Sequence, residues 1–72
     1  MKNVKHRNKR EILIRYRGKR PQTEMAKMYG VAQQVWCRWE LGIAKPKVQT
    51  MMKLEKDIGV PMERIFFDVF DN

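Results

Sequence analysis

Cysteine and histidine are nearly absent from this 72-residue chain, represented only by Cys37 and His6. One thiol cannot close an intrachain disulfide, and one Cys with one His cannot supply the four ligands of the usual structural zinc sites. The expectation is an intracellular, cytoplasmic protein with no metal and no cofactor. Long apolar runs are missing as well. None exceeds three residues, as at Ile12-Leu13-Ile14, whereas a membrane-spanning helix needs roughly 20, and the N-terminal run lacks the apolar centre of a secretion signal. Alternating polar and apolar residues rich in β-branched side chains are also lacking, which argues against strands. Without a repeat or a low-complexity linker in the sequence, a single domain is expected. A chain this short buries only about 60% of the surface its unfolded form exposes, which leaves little stability to support a strained catalytic cleft. Binding at a surface is expected, and enzymatic activity is not.

Positive charge is what the chain has in excess, with 16 Lys and Arg against 8 Asp and Glu and a formal net charge of +8. The excess is uneven. Residues 1–20 hold nine basic side chains and one acid, Glu11, whereas residues 57–72 hold Arg64 against Asp57, Glu63, Asp68 and Asp71. One end is a polycation and the other is acidic and aromatic, a split that points to a polyanionic partner for one face and another role for the other. Nucleic acid is the first candidate. An anionic membrane surface is second, and the basic tail has no continuous apolar face with which to lie on one.

Apolar residues recur at three- and four-residue steps, and the fold class read from them is all-α with five short helices. The first spans about Lys9 to Arg17 with Ile12, Leu13 and Tyr16 on one face. The second starts at Pro21 or Gln22 and carries Met25, Ala26, Met28 and Tyr29 on its apolar side. The third, about Gln33 to Leu41, buries Trp36 and Trp39 and leaves Gln33, Gln34, Cys37 and Arg38 outward. The fourth, about Val48 to Ile58, has a stripe of Val48, Met51, Met52, Leu54 and Ile58. Pro61 opens a short fifth helix reaching about Phe67. Gly18, Gly30, Gly42 and Gly59 punctuate the ends of the first four.

The most informative stretch is QTEMAKMYGVAQQVWCRWEL, residues 22–41. Two helices joined at a large angle by a tight turn need a small residue at their closest approach, a residue tolerant of positive φ in the turn, and apolar residues at their contacts. Ala26 and Gly30 meet the first two needs. Met25, Tyr29, Val31, Trp36 and Trp39 meet the third, and together they match a helix-turn-helix.

With the preceding Pro21, the loop around Pro46 and the later segment MMKLEKDIGVPMERIFF, the chain resembles the Cro and phage-repressor type of helix-turn-helix regulator, the XRE family, over about residues 10–67. The resemblance implies a compact five-helix, lambda-repressor-like DNA-binding domain. It also implies sequence-specific binding of double-stranded DNA, usually as a homodimer on a pseudo-palindromic operator, with the second helix of the pair in the major groove. On this reading residues 1–9 are a basic N-terminal arm, 10–68 the DNA-binding domain with its motif at 22–41, and 69–72 a C-terminal tail. The stretch up to Arg10 is either an arm reaching around the duplex or a disordered tail adding non-specific affinity.

Family roles carry over by position. Gln22 matches a glutamine that bonds a phosphate from a helix N-terminus. Gln33 and Gln34 match a Gln-Gln pair that lambdoid repressors can carry, and each amide can pair with adenine N6 and N7. Arg38 is placed to reach guanine or a phosphate. Val35 either touches a thymine methyl or packs beside Trp36 and Trp39. Lys45 and Lys47 lie where the family contacts the phosphate backbone. Glu40 matches an acid that forms a structural ion pair with an arginine of the first helix. Arg15 stands at the commoner spacing, but Arg17 puts Leu13 and Tyr16 into the core and is preferred.

Three positions depart from the family pattern, with Ala32 and Pro21 replacing capping residues and Leu41 replacing a polar one. The apolar cluster Ile65, Phe66, Phe67, Val69 and Phe70 exceeds what a terminal helix hides easily. Ile65, Phe66, Phe67 and Phe70 are therefore expected at a dimer interface, the alternative being that this end folds back onto its own core. The function expected is transcription regulation, by repression of a bacterial, phage or mobile-element promoter, in a protein associated with the nucleoid. The alternative keeps the fold and makes it a protein-binding module, an antitoxin or antirepressor partner, with DNA contact secondary.

Overall fold

The first four helices are short because each is followed within two residues by a glycine at positive φ, where the chain leaves the helix. The structure, a computed structural model, describes residues 9–70. It is all-helical among those residues, with α1 at Glu11–Arg17, α2 at Gln22–Met28, α3 at Gln33–Leu41, α4 at Val48–Ile58, α5 at Met62–Ile65 and α6 at Phe67–Phe70. None of these helices is long and apolar enough to cross a membrane.

Two differences from the sequence expectation have local causes. The first helix starts at Glu11, because Arg10 takes the non-helical angles φ −92° and ψ 88° and sends its amide to the carbonyl of Glu40 at 2.8 Å. The expected fifth helix is two. Phe66, at φ −112° and ψ 47°, breaks it, and Phe67–Phe70 form a separate turn of helix. The basic arm lies outside the described residues except for Lys9, which is exposed. The expected C-terminal tail begins inside α6, and its last two residues are likewise outside those described.

The turn between α2 and α3 is built from backbone chemistry. Val31 and Gly30 donate to the carbonyls of Ala26 and Lys27 at 2.9 and 3.3 Å, closing the last turn of α2, with Gly30 at φ 68°. The same pattern ends α3, where Ile43 and Gly42 donate to Arg38 and Trp39 at 3.0 and 3.3 Å and Gly42 sits at φ 75°. Both are Schellman closures. A side chain at the positive-φ residue would be strained in each. Ala32, lacking an oxygen, caps α3 with no side-chain hydrogen bond.

The core is small and drawn from α1 to α5 and the Phe66 break: Leu13, Met25, Ala26, Trp36, Trp39, Met51, Leu54, Ile65 and Phe66. Trp36 is its centre, with Tyr29 stacked on it at 5.6 Å and Trp39 tilted against it at 5.7 Å. Ala26 is buried in α2, the helix most extensively packed against α3.

Three residues counted in apolar stripes are exposed: Met28, Val48 and Met52. In α4 the buried line is Met51 and Leu54, so Val48 and Met52, one turn apart, share a different face.

The C-terminal end corrects the interface expectation. Ile65, on the buried side of α5, and Phe66, at the break that follows, both lie in the core, 1% and 0% exposed. Only Phe67 and Phe70 remain open, at 40% and 42%.

Phe66→Ala should therefore cost about 3 to 5 kcal/mol, the range for deleting a buried aromatic ring. Phe67→Ala should cost less than about 1 kcal/mol. Urea unfolding of the two variants at a concentration low enough to keep the chain monomeric measures the difference.

Candidate nucleic-acid interface

Helix α3 presents two unlike faces. Trp36, Trp39 and Glu40 are buried, whereas Gln33, Gln34 and Arg38 are exposed and Cys37 is half-buried beside them. The geometry follows from the period of 3.6 residues, which puts residues 33, 34, 37, 38 and 41 on one side. Leu41 is half-buried at the end of that row, and Val35 is half-buried against the core, so most of Val35 serves packing. Lys45 and Lys47 stand exposed on either side of buried Pro46 in the loop after α3.

The outward face is oriented from within by Glu40. Its carboxylate is 3% exposed and accepts hydrogen bonds from three helices. Arg17 of α1 approaches with Nε at 2.7 Å and a terminal nitrogen at 3.2 Å, Gln22 of α2 donates from Nε2 at 3.0 Å, and Trp36 of α3 donates from its indole. Arg15 is exposed and takes no part. Burial alone pushes the Glu40 carboxyl up. The hydrogen bonds from Arg17, Trp36 and Gln22 and the charge of Arg17 outweigh it and hold the group below its ordinary value. The same pairing raises Arg17.

Glu40 also decides how Gln22 is turned. A carboxylate only accepts, so the amide of Gln22 must face it with NH2, which directs the Gln22 carbonyl toward Gln33. Gln33 donates to that carbonyl at 3.4 Å, a long bond that engages one of its hydrogens. The carbonyl and second hydrogen of Gln33, and the whole amide of Gln34, have no protein partner among the described residues. Gln22, expected to reach outward to a phosphate, is half-buried and partly engaged with Glu40.

A second polar chain braces α2 against α1 and α4. Tyr16 and Tyr29 share a hydrogen bond at 2.8 Å, and the Tyr29 hydroxyl donates to Asp57 at 2.8 Å. Burial, with the bonds to Tyr16 and Asp57, raises Tyr29 above the ordinary phenol range, and the bond from Tyr29 lowers Asp57.

Arg10 is the residue that sequence reasoning missed. It stood where the basic arm meets the domain and was given no role, yet its side chain is 2% exposed and pairs with Asp68 at 2.7 Å. Nothing in the run of nine basic side chains marks it out, because its partner lies 58 residues away. Among the described residues no cluster of His, Cys, Asp and Glu is placed to hold a metal ion. Comparison of the chain with family models, with curated proteins and with solved structures finds no match.

Removing Arg17 strands a buried carboxylate, so Arg17→Ala should lower stability by about 3 kcal/mol at pH 7. Arg15→Ala should change it by less than about 0.5 kcal/mol. Because folding lowers the Glu40 carboxyl from 4.5, its contribution is present above that pH and is lost as pH falls through the lower folded value. The penalty of Arg17→Ala should accordingly shrink as the pH falls through 4.5 and below. Urea titrations of the three proteins between pH 7 and pH 3 measure both effects.

Proposed function

We propose that the chain is a sequence-specific, double-stranded DNA-binding regulator of transcription, acting as a repressor and carrying out no chemical reaction. In this reading α2 and α3 are a helix-turn-helix of the Cro and phage-repressor, XRE-type kind, and α3 enters the major groove. The observation that carries it is the division of α3. Three polar side chains able to read base edges, Gln33, Gln34 and Arg38, are exposed along one face, and the opposite face is anchored by Trp36, Trp39 and the hydrogen-bonded Glu40. A side chain discriminates between bases only if its donors and acceptors are presented in a fixed frame.

Each residue then has a distinct task. Gln34 offers a free donor and acceptor that match adenine N6 and N7. Gln33, with its amide directed by Gln22, offers a carbonyl and one hydrogen to a neighbouring base. Arg38 supplies a fork for guanine O6 and N7 or a charge for phosphate. Lys45 and Lys47 attract the backbone regardless of sequence, as does the rest of the +8 excess. A few base contacts read too little sequence alone, and pairing two copies doubles the site. The exposed rings of Phe67 and Phe70 are the apolar surface assigned to that contact. Repression follows from occupancy, since a dimer on an operator excludes other proteins from the same groove. The corresponding location is the cytoplasm, on the nucleoid.

Selection of bound duplexes from a random pool should return a two-fold symmetric site with half-sites about one helical turn apart. On that site Gln34→Ala should cost about 1 to 3 kcal/mol and relax preference at one base pair, while leaving random DNA unaffected. Lys45→Ala should weaken both alike and make the salt dependence shallower by about one unit. Equal losses on both DNAs for Gln34→Ala would defeat base reading by that residue. Sedimentation at micromolar concentration should show a dimer on the site, and Phe67→Ser with Phe70→Ser should return a monomer; a monomer throughout excludes the dimer.

A further inference from the structure

The side chain of Arg10 spends its donors on the protein itself. Nε and one terminal nitrogen meet the two carboxylate oxygens of Asp68 in α6 at 2.9 and 2.7 Å. The other terminal nitrogen donates to two backbone carbonyls, Trp39 near the end of α3 at 2.8 Å and Ala44 in the following loop at 2.7 Å. The guanidinium lies over the Phe66 ring at 5.0 Å. The Arg10 amide donates to Glu40, so two of the terminal carbonyls of α3 are capped by one residue, with its positive charge at the negative end of the helix.

A guanidinium is a rigid plane with its donors in fixed directions. Asp68, Trp39 and Ala44 are therefore held in one relative arrangement. Ala44 is followed by Lys45, buried Pro46 and Lys47, so one side chain links this loop to α6, beside the anchors that Pro46 and the Arg38 carbonyl provide. Besides this pair, α6 is held by Val69, packed against the core, and by its contacts with α5 and Phe66. It has four residues, Phe67 and Phe70 are exposed, Val69 is half-buried, and non-helical Phe66 separates it from α5.

We propose that Arg10 is a positioning residue that ties α6 to the loop after α3. What steadies α6 steadies Lys45 and Lys47, and what displaces α6 releases them. Its consequence for binding rests on the DNA reading above. A second copy packed on Phe67 and Phe70 would hold α6, and through Arg10 would strengthen the grip of each subunit on phosphate. The coupling is reciprocal, so DNA on the loop also favours the α6 contact.

Asp68→Asn tests the tie from its far side. It places an amide against the donors of Arg10 and leaves the exposed face of α3 and both lysines intact. The amides of Ile43 and Ala44 should exchange about tenfold faster with solvent, while those of Met25 and Val31 change by less than about twofold. Affinity for a random duplex at low salt should fall about three- to tenfold, and its salt dependence should become shallower by about one to two units.

Unchanged exchange at Ile43 and Ala44 in the folded variant overturns the tie, whatever the DNA result. Faster exchange with unchanged affinity and salt dependence overturns the positioning role. If the unaltered chain binds no duplex, the DNA reading fails and the grip with it, and faster exchange at Ile43 and Ala44 still supports the tie. If Asp68→Asn does not fold, exchange of the unaltered chain in rising urea decides. Opening of Ile43, Ala44, Val69 and Phe70 together, within about twofold, supports one unit, and a difference above about tenfold overturns it.

Discussion

The carboxylate of Glu40 is almost wholly removed from water, and such a charge persists only if protein groups replace its hydration. Those groups come from Arg17, Gln22 and Trp36, one from each of the first three helices. Satisfying the acid therefore sets the relative positions of α1, α2 and α3 to hydrogen-bond precision. A purely apolar contact of the same area tolerates sliding, because dispersion has no preferred direction. The exposed side of α3 inherits this order, since the amide that turns toward Glu40 also points its carbonyl at Gln33.

Arg10 does at the C-terminal end of α3 what Arg17 does from the side. The two arginines hold the same helix through different chemistry, a side-chain carboxylate in one case and terminal backbone carbonyls in the other. Between them lies a core of nine buried apolar residues among those described. In a domain this small such a core supplies modest stability and limited specificity of packing. Charged hydrogen bonds contribute direction where apolar area is scarce, and no buried side-chain nitrogen or oxygen among the described residues lacks a partner.

This division gives the +8 charge a finer meaning. Exposed Lys45 and Lys47 are free to meet a polyanion, whereas Arg10 and Arg17 are occupied inside and contribute to a partner mainly through long-range field. The uncharged amides of Gln33 and Gln34 carry the discriminating chemistry in the proposed reading. They do so because the helix beneath them is held by charges already paired within the protein, Arg10 with Asp68 and Arg17 with Glu40.

Local order was legible in the sequence. Spacing of apolar residues, with glycine and proline as punctuation, located the first four helices closely, the two tryptophans at the centre, and the outward row of Gln33, Gln34 and Arg38. These features depend on residues within a turn or two of one another, which is the range over which helical periodicity acts. The tertiary structure alone decided which charges are buried and which apolar residues are not. Arg10 looks like its neighbours until Asp68, 58 residues away, meets it. Ile65 and Phe66 look like a sticky end until both pack into the core, and Val48 and Met52 look like core until Met51 and Leu54 take the buried side of α4. The reason in each case is closure of the chain. Burial and pairing depend on what arrives from a distant segment, and local spacing contains no record of that arrival.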